Sequence, residues 1–374
     1  MCSTGSDYDG SSSIGYEGDS DTCTCTSLTK PFLGSKAVNS NYHQQQNIYC
    51  YTAMRSNNNG SYHRDQGPRS PVTSSPVAYR VGELDKFIAG RLAAGDVEIK
   101  LCGDGEGGTY FISPTATSAQ NGPAKPPIAV WKPACEEIGC PGNPKNNTEL
   151  DRLGFKAGDG FKREALAADL DYGHFASVPE TVVMSIDGKE GSAQRFIPGT
   201  RQSWDMGPAK FSPSAVHRIG IFDIRTLNGD RHGGNMLVPD ADPTMLVPID
   251  HSYILPEGFA DPEFEWMDWP QAKLPFTQGE LEYIARLDAD HDQQLVTERL
   301  GEEAGETIAV TTRVLKIAAS RGYNLKEIAH FCRRETLTQP SRLELIMAEC
   351  RSDETLAIDT KLVEEHVARA FPPK

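Results

Sequence analysis

The sequence predicts an α+β protein of two lobes, strand-rich first and helix-rich second, behind a tail that cannot fold on its own. Three observations carry that prediction. Residues 1–78 are dominated by Ser, Asn, Gly, Gln and Tyr and hold few aliphatics, so they bury too little apolar surface to offset the entropy of ordering. Between residues 79 and 200, short β-branched and aromatic runs are bounded by Gly and Pro, the signature of strands and turns. From 201 to 374 the apolar residues recur mainly at helical spacing. A chain of 374 residues is long enough for one such two-lobed domain over 79–374 plus the tail.

The elements follow in order. The tail ends in GPRSPVTSSPVAYR, whose Ser-Pro steps read as a linker, either a plain spacer or a phosphorylation site. From Val81 a helical period runs to Leu92 and gives way to an alternating run into Cys102. TYFISP and IAVWKP, separated by a Gly/Pro-rich stretch, read as a hairpin. A loop of Gly, Pro and Asn over 139–160 precedes FKREALAADLDYG, one helix stopping near Gly173. Strands follow at TVVMSI and around SAQRFI, then helices at SPSAVHRIGIFDIRTLN, QGELEYIARLD, ETIAVTTRVLKIAASRG, LKEIAHFCRRE and TKLVEEHVARAF. No internal repeat is visible.

Composition excludes several function classes. The chain has 37 basic and 52 acidic residues, a net charge of −15, which repels phosphate backbones and argues against nucleic-acid partners. No apolar stretch approaches the roughly 20 residues needed to span a bilayer, and MCSTGSDYDG lacks the features of a signal peptide. The expectation is a cytoplasmic protein whose contact with membranes is at most peripheral. Nine cysteines are scattered and odd in number, which fits reduced thiols. Cys23 with Cys25, or Cys135 with Cys140, could ligate zinc, but no second pair follows at finger spacing. Cys2, Cys23 and Cys25 could accept an acyl chain. The sequons at Asn59 and Asn146 carry no weight without a secretory signal.

Three motifs carry chemistry. Gly103-Asp-Gly105-Glu-Gly107-Gly108-Thr109 lies between two apparent strands; its glycines let the backbone bend and bring N–H groups close to phosphate oxygens, although an ordinary hairpin turn explains them as well. Lys132 ends the apolar run Ile128-Ala-Val-Trp and could meet nucleotide phosphates if a carboxylate held it. Glu164 on the following helix is the natural partner, against the commoner reading of two surface charges. The third motif is the run from Asp223 through Asp230-Arg231-His232-Gly-Gly-Asn235. Asp230 and Asn235 have the spacing with which a phosphotransferase loop places a hydroxyl-orienting carboxylate and a metal-binding amide. A short predicted hairpin, Met-Leu-Val to Met245-Leu-Val-Pro-Ile-Asp250, then brings a second carboxylate beside Asn235. Asn235 and Asp250 so placed suit one or two Mg2+ bridging the phosphates of ATP, because Mg2+ prefers hard oxygen ligands. A capped, salt-bridged turn is the competing explanation.

With those residues in view, the chain resembles the phosphatidylinositol 3/4-kinase superfamily, and in particular the type II phosphatidylinositol 4-kinases of the plant gamma group. The likeness rests on Gly107-Gly-Thr-Tyr-Phe, VWKP with Glu136-Glu137 and Pro144-Lys145, Gly160-Phe-Lys-Arg-Glu164, HFASVPET, AVHRIGIFDIRTLNGDRHGGN, LVPIDHSYILPE and FEWMDWPQAKLPFT. It runs from about residue 101 to about residue 300. The resemblance implies a bilobal protein-kinase-like fold, ATP as donor, and phosphatidylinositol as an acceptor at its 4-hydroxyl. It further implies that Gly105, Gly107, Gly108 and Thr109 cover the nucleotide and that Lys132, held by Glu164, grips its phosphates. Gln194, Arg195, Phe196 and Ile197 would form the hinge touching adenine, and Asp250 would open the activation loop. Three departures stand out: no ubiquitin-like repeat precedes the kinase region, the cysteine-rich acylation cluster of animal type II enzymes is missing, and Cys135 stands where relatives usually carry a carboxylate.

In the transfer itself Asp230 is expected to orient or deprotonate the acceptor hydroxyl, with His232 a rival for that task or a brace for the loop. Arg231 is grouped with them as a catalytic residue, although it and Arg225 suit pinning the loop through carboxylates. Phe264, Trp266 and Trp269 fit either a membrane interface or the core of the helical lobe. Two other functions remain open from the residues alone. One is a protein Ser/Thr kinase, since nothing in the acceptor region separates a lipid headgroup from a hydroxyl side chain; the other is a scaffold without catalysis, which the joint presence of Lys132, Asp230, Asn235 and Asp250 opposes.

Overall fold

The computed structural model describes residues 83–374 apart from position 104, residues 116–124, position 337 and residues 353–356. The tail expected over 1–78 lies outside the described residues. The strand-rich lobe opens with α1 (Leu84–Ala93), β1 (Val97–Leu101), β2 (Tyr110–Pro114) and β3 (Ala129–Pro133). After a long loop come α2 (Gly160–Leu170), β4 (Thr181–Ile186) and β5 (Lys189–Arg195). The five strands form one antiparallel sheet in the order β1-β2-β3-β5-β4. Its register places Tyr110 opposite Trp131 and Lys132 opposite Ser192.

Strand periodicity then decides which side chains face which way. Ile112, Ala129, Trp131 and Ala193 form a small core with Leu84 and Ile88 of α1. Lys132, one residue beyond Trp131, falls on the opposite face, toward the other lobe. The β4–β5 hairpin turns on Asp187 and Gly188, both at positive φ, as a two-residue turn of this hand requires.

The second lobe begins with β6 (Thr200–Gln202), α3 (Pro213–Thr226), β7 (Met236–Pro239) and β8 (Val247–Pro248). Strands β6, β7 and β8 make a three-stranded antiparallel sheet, so the predicted return hairpin into Asp250 forms. Among the described residues six helices follow: α4 (Gln278–Arg286), α5 (Ala289–Leu300), α6 (Glu302–Ser320), α7 (Leu325–Cys332), α8 (Arg342–Glu349) and α9 (Thr360–Ala370). Reciprocal capping boxes at Thr277/Glu280, Asn324/Glu327 and Ser341/Glu344 fix the starts of α4, α7 and α8 by satisfying N–H groups that have no partner within the helix. Neither α5 nor α8 was among the helices expected from periodicity. The first buries only four of its twelve residues and so shows little apolar period; the second is one short run whose signal was its Ser341-x-x-Glu344 box.

The core of this lobe gathers α3, α6 and α7 around Trp266 and Trp269, which are 0% and 7% exposed. Both tryptophans therefore serve the core rather than a membrane interface. Among the described residues no helix is long and apolar enough to cross a membrane. Cys332 and Cys350 are free thiols. Cys102 is disulfide-bonded, which departs from the expectation of reduced thiols throughout.

Candidate active site

The glycine-rich turn joins β1 to β2, closed by Cys102 N–H donating to Thr109 O at 2.7 Å. Gly108 donates to Glu136 O at 2.8 Å. A Cβ at Gly108 would stand 2.5 Å from Glu136 Oε2 and 2.6 Å from its Cβ, so close approach, not only turn geometry, demands glycine there. The carbonyls of the turn are held from the side by the loop ahead of α2. Lys145 Nζ donates to Gly105 O at 2.8 Å, and Asn143 and Asn147 each donate through Nδ2 to Glu106 O at 3.0 Å. Asn143 is itself buried and its Oδ1 accepts the N–H groups of Lys145 and Asn147.

Lys132 reaches across from β3 to two carboxylates, Glu164 Oε1 on α2 at 2.5 Å and Asp250 Oδ1 at 3.0 Å. Burial alone would lower the Lys132 ammonium, yet Asp250 and Glu164 override it and hold the charge more firmly than usual. Burial would likewise raise both carboxyls, and the same ammonium keeps each below the ordinary carboxylate range. Glu164 Oε2 also accepts the His251 N–H at 3.0 Å. Asp250 sits at φ 56°, a left-handed conformation that non-glycine residues hold at functional sites when their surroundings enforce it. Ser252 Oγ donates to its carboxylate at 2.8 Å.

The loop after α3 is organised by a fully buried carboxylate, Asp223. It accepts from Arg231 Nε at 3.1 Å, Asn228 Nδ2 at 3.0 Å and Trp266 Nε1 at 2.9 Å. Asn228 Oδ1 in turn takes the N–H of Asp230 at 2.8 Å. Asn235 Nδ2 donates to Asp230 O at 2.9 Å and to Asp230 Oδ2 at 3.3 Å, which leaves its amide oxygen as the group free to meet a cation. His232 stacks on Trp204 with ring centroids 5.5 Å apart, and its Nδ1 accepts Gly234 N–H at 3.0 Å. That bond puts the proton of the neutral ring on Nε2, 3.9 Å from Asp230 Oδ2.

Parts of each of these elements line one cavity of about 830 Å3. Gly105, Gly107, Gly108 and Thr109 line it from the turn, Lys132 and Glu164 from the strand-rich lobe, and Asp230, His232 and Asp250 from the helical lobe. Asn235 lies behind Asp230, 4% exposed. A family model described as phosphatidylinositol 3- and 4-kinase matches residues 146–322, a span that takes in Glu164, the Asp230–Asn235 loop and Asp250. The chain belongs to the phosphatidylinositol 3- and 4-kinase family. It is similar to phosphatidylinositol 4-kinase gamma 5 of Arabidopsis thaliana, 34% identical over 83% of this chain and 54% of that protein. Phosphatidylinositol 4-kinase gamma 1 of the same plant is 33% identical over 83% of this chain and 60% of its own length. Phosphatidylinositol 4-kinase gamma 8 is 38% identical over 63% and 49% respectively. The chain thus spans about half the length of the curated relatives it matches.

Against the expectations drawn from the family resemblance, two groups stand elsewhere. Arg231 is fully buried and does not line the cavity: its guanidinium is spent on Asp223 and on the carbonyls of Asn235 and Ile249, at 2.6 and 2.8 Å. It holds the loop to β8 and touches no substrate-facing surface. Gln194, Arg195, Phe196 and Ile197 are also absent from the lining. β5 continues through Arg195, so Arg195 falls on the sheet face away from Lys132 and pairs with Glu180 at 2.5 Å. Gln194 is bonded to Thr181 Oγ1 at 3.0 Å, Phe196 N–H to Ile128 O at 3.1 Å.

Other residues of this family site carry roles the sequence did not announce. Glu137 lines the cavity and accepts the N–H groups of Gly158, Gly160 and Phe161 at 2.7–3.0 Å, so its carboxylate sits on the N-terminus of α2, the helix that carries Glu164. Burial outweighs those three donors and pushes the Glu137 carboxyl from 4.5 up to about 7. Between those values the folded protein keeps a proton that the unfolded chain has released, so this group's contribution to stability is complete below 4.5 and is lost as pH rises through 7. Replacing Glu137 by Gln is expected to remove that slope, worth on the order of 3 kcal/mol in full, as read from melting temperatures of both proteins between pH 4.5 and 8. Equal slopes would refute the assignment.

Proposed function

We propose that this cleft binds ATP with Mg2+ and transfers the γ-phosphoryl group to the 4-hydroxyl of phosphatidylinositol. The carrying observation is the Lys132 ammonium shared by Glu164 and Asp250 in a cavity that Asp230 also lines and glycine-rich backbone borders, with Asn235 bonded to Asp230 from outside that lining. Relatives named phosphatidylinositol 4-kinase gamma supply the acceptor class. The donors fit the metal: a carboxylate at Asp250 and an amide oxygen at Asn235 are hard ligands of the kind Mg2+ takes alongside substrate phosphates. Bound there, Mg2+ would neutralise charge on the phosphates.

The chain's own residues account for the rest. Lys132 exchanges Asp250 for phosphate oxygens while keeping Glu164, which stays fixed by its His251 N–H bond. The turn at 105–109 presents backbone rather than side chains to the nucleotide. Asp230 accepts a hydrogen bond from the acceptor hydroxyl and aligns its oxygen with the γ-phosphorus. As the new O–P bond forms and the bond between the γ-phosphorus and the β,γ-bridging oxygen breaks, the hydroxyl proton passes to Asp230 and ADP leaves. Little covalent chemistry is asked of the protein, so positioning and charge dominate. With a net charge of −15, the encounter with a lipid surface is peripheral and transient.

The test offers purified protein ATP and Mg2+ with phosphatidylinositol vesicles in one reaction and a generic protein acceptor in another. Phosphatidylinositol 4-phosphate in the first supports the proposal, label only in the protein acceptor reassigns the substrate, and no transfer in either overturns it. Asp230→Ala is expected to lower turnover at least about 100-fold with its melting temperature within about 2 °C of wild type.

A further inference from the structure

The loop between β3 and α2 touches three parts of the site at once. Its first half holds the glycine-rich turn through Asn143, Lys145 and Asn147. Its second half reaches the catalytic loop and the segment after Asp250: Lys156 pairs with Glu257 at 2.6 Å, and Gly154 O accepts Glu257 N–H at 2.8 Å. Between them Arg152 lines the cavity and donates through Nη1 to Gly229 O at 3.0 Å and through Nη2 to Asp230 Oδ1 at 2.9 Å. Its guanidinium lies 4.1 Å over the Tyr253 ring, which meets Phe155 edge-on.

We propose that Arg152 is a positioning residue for the transfer, fixing the rotation of the Asp230 carboxylate so that Oδ2 faces the acceptor hydroxyl. Two parallel donors on neighbouring acceptors define a plane, which a single ammonium cannot do. With Oδ1 taken by Arg152, the remaining oxygen, touched by Asn235 Nδ2 at 3.3 Å, is the one left to orient a hydroxyl. The aromatic seat under the guanidinium keeps the arginine in place whether or not substrate is bound. This inference rests on Asp230 being the residue that meets the acceptor.

The experiment compares wild type, Arg152→Ala, Arg152→Lys and Asp230→Ala, following ATP turnover with phosphatidylinositol vesicles. Arg152→Ala is expected to lose about 100-fold in kcat, with the KM for ATP changed less than about twofold and the melting temperature close to wild type, the side chain being one-third exposed. Added guanidinium at millimolar concentration should restore part of the lost kcat in Arg152→Ala and nothing in Asp230→Ala. Arg152→Lys should recover only part, and it carries the same comparison should the alanine variant melt early. Arg152→Ala with wild-type kcat, a loss confined to the KM for ATP, or a gain in rate overturns the positioning role while Asp230→Ala stays inactive. Activity in Asp230→Ala, or no turnover in wild type, removes the underlying reading and this role with it.

Discussion

Alanine at Asp250 is expected to lower phosphotransfer by about three orders of magnitude or more while the protein still melts cooperatively. Removing a charged group that acts on transferring phosphate typically costs a factor of this size, and here one carboxylate serves two partners. Asp250 holds Lys132 at 3.0 Å in the free protein and is the only carboxylate among the proposed metal ligands. Lys132 keeps Glu164 at 2.5 Å, so the variant leaves no buried charge stranded and the fold survives. A modest fall in melting temperature is expected, since alanine tolerates the φ of 56° less well than aspartate. Asp250→Asn separates the two effects: asparagine accepts the left-handed backbone but supplies no negative charge. Rates measured over a range of Mg2+ concentrations decide the matter, and an alanine variant with wild-type turnover would remove Asp250 from the chemistry.

Trp266→Ala is expected to destabilise the protein by about 3–5 kcal/mol, the range for deleting a fully buried aromatic side chain, and to drop the melting temperature by roughly 10 °C. Trp266 is 0% exposed, stacks on Phe264 with centroids 4.9 Å apart and donates to Asp223 at 2.9 Å. Asp223 is the same carboxylate that gathers Arg231 and Asn228, so the loss spreads from packing into the loop that presents Asp230. Turnover should therefore fall alongside stability, whereas co-sedimentation with phosphatidylinositol liposomes should not change. Reduced liposome binding at unaltered melting temperature would return this tryptophan to a membrane role.

What could be read from the sequence was what is local. The hairpin of TYFISP and IAVWKP, the helix carrying Glu164 and the short return into Asp250 each follow from turn residues and periodicity within some twenty positions. The five-residue spacing of Asp230 and Asn235 placed two neighbouring side chains correctly, because both belong to one tight loop. The rest depends on contacts distant in sequence. Arg152 meets Asp230 across 78 positions and Lys145 meets Gly105 across 40, and no local pattern distinguishes either from an exposed basic residue. Arg231 shows the converse: its neighbours in sequence are chemical, whereas its contacts, Asp223 and two backbone carbonyls, are structural, as the loop-pinning reading of its sequence allowed. Of the residues assigned to the hinge, Arg195 turns away from the Lys132 face because β5 extends through it.

Helix α6 buries fourteen of its nineteen residues, and its threonines tie neighbouring segments together, Thr311 Oγ1 to Arg225 O and Thr307 Oγ1 to Pro256 O. A rod so largely enclosed leaves natural variation almost no room: a larger residue collides with its neighbours, a smaller one opens a void, and valine, which matches threonine in shape, cannot make the hydroxyl's hydrogen bond. Drift among descendants of this gene should then be channelled to the outward turns of α5, where eight of twelve positions are not buried, and the interior rod should change only through compensating pairs.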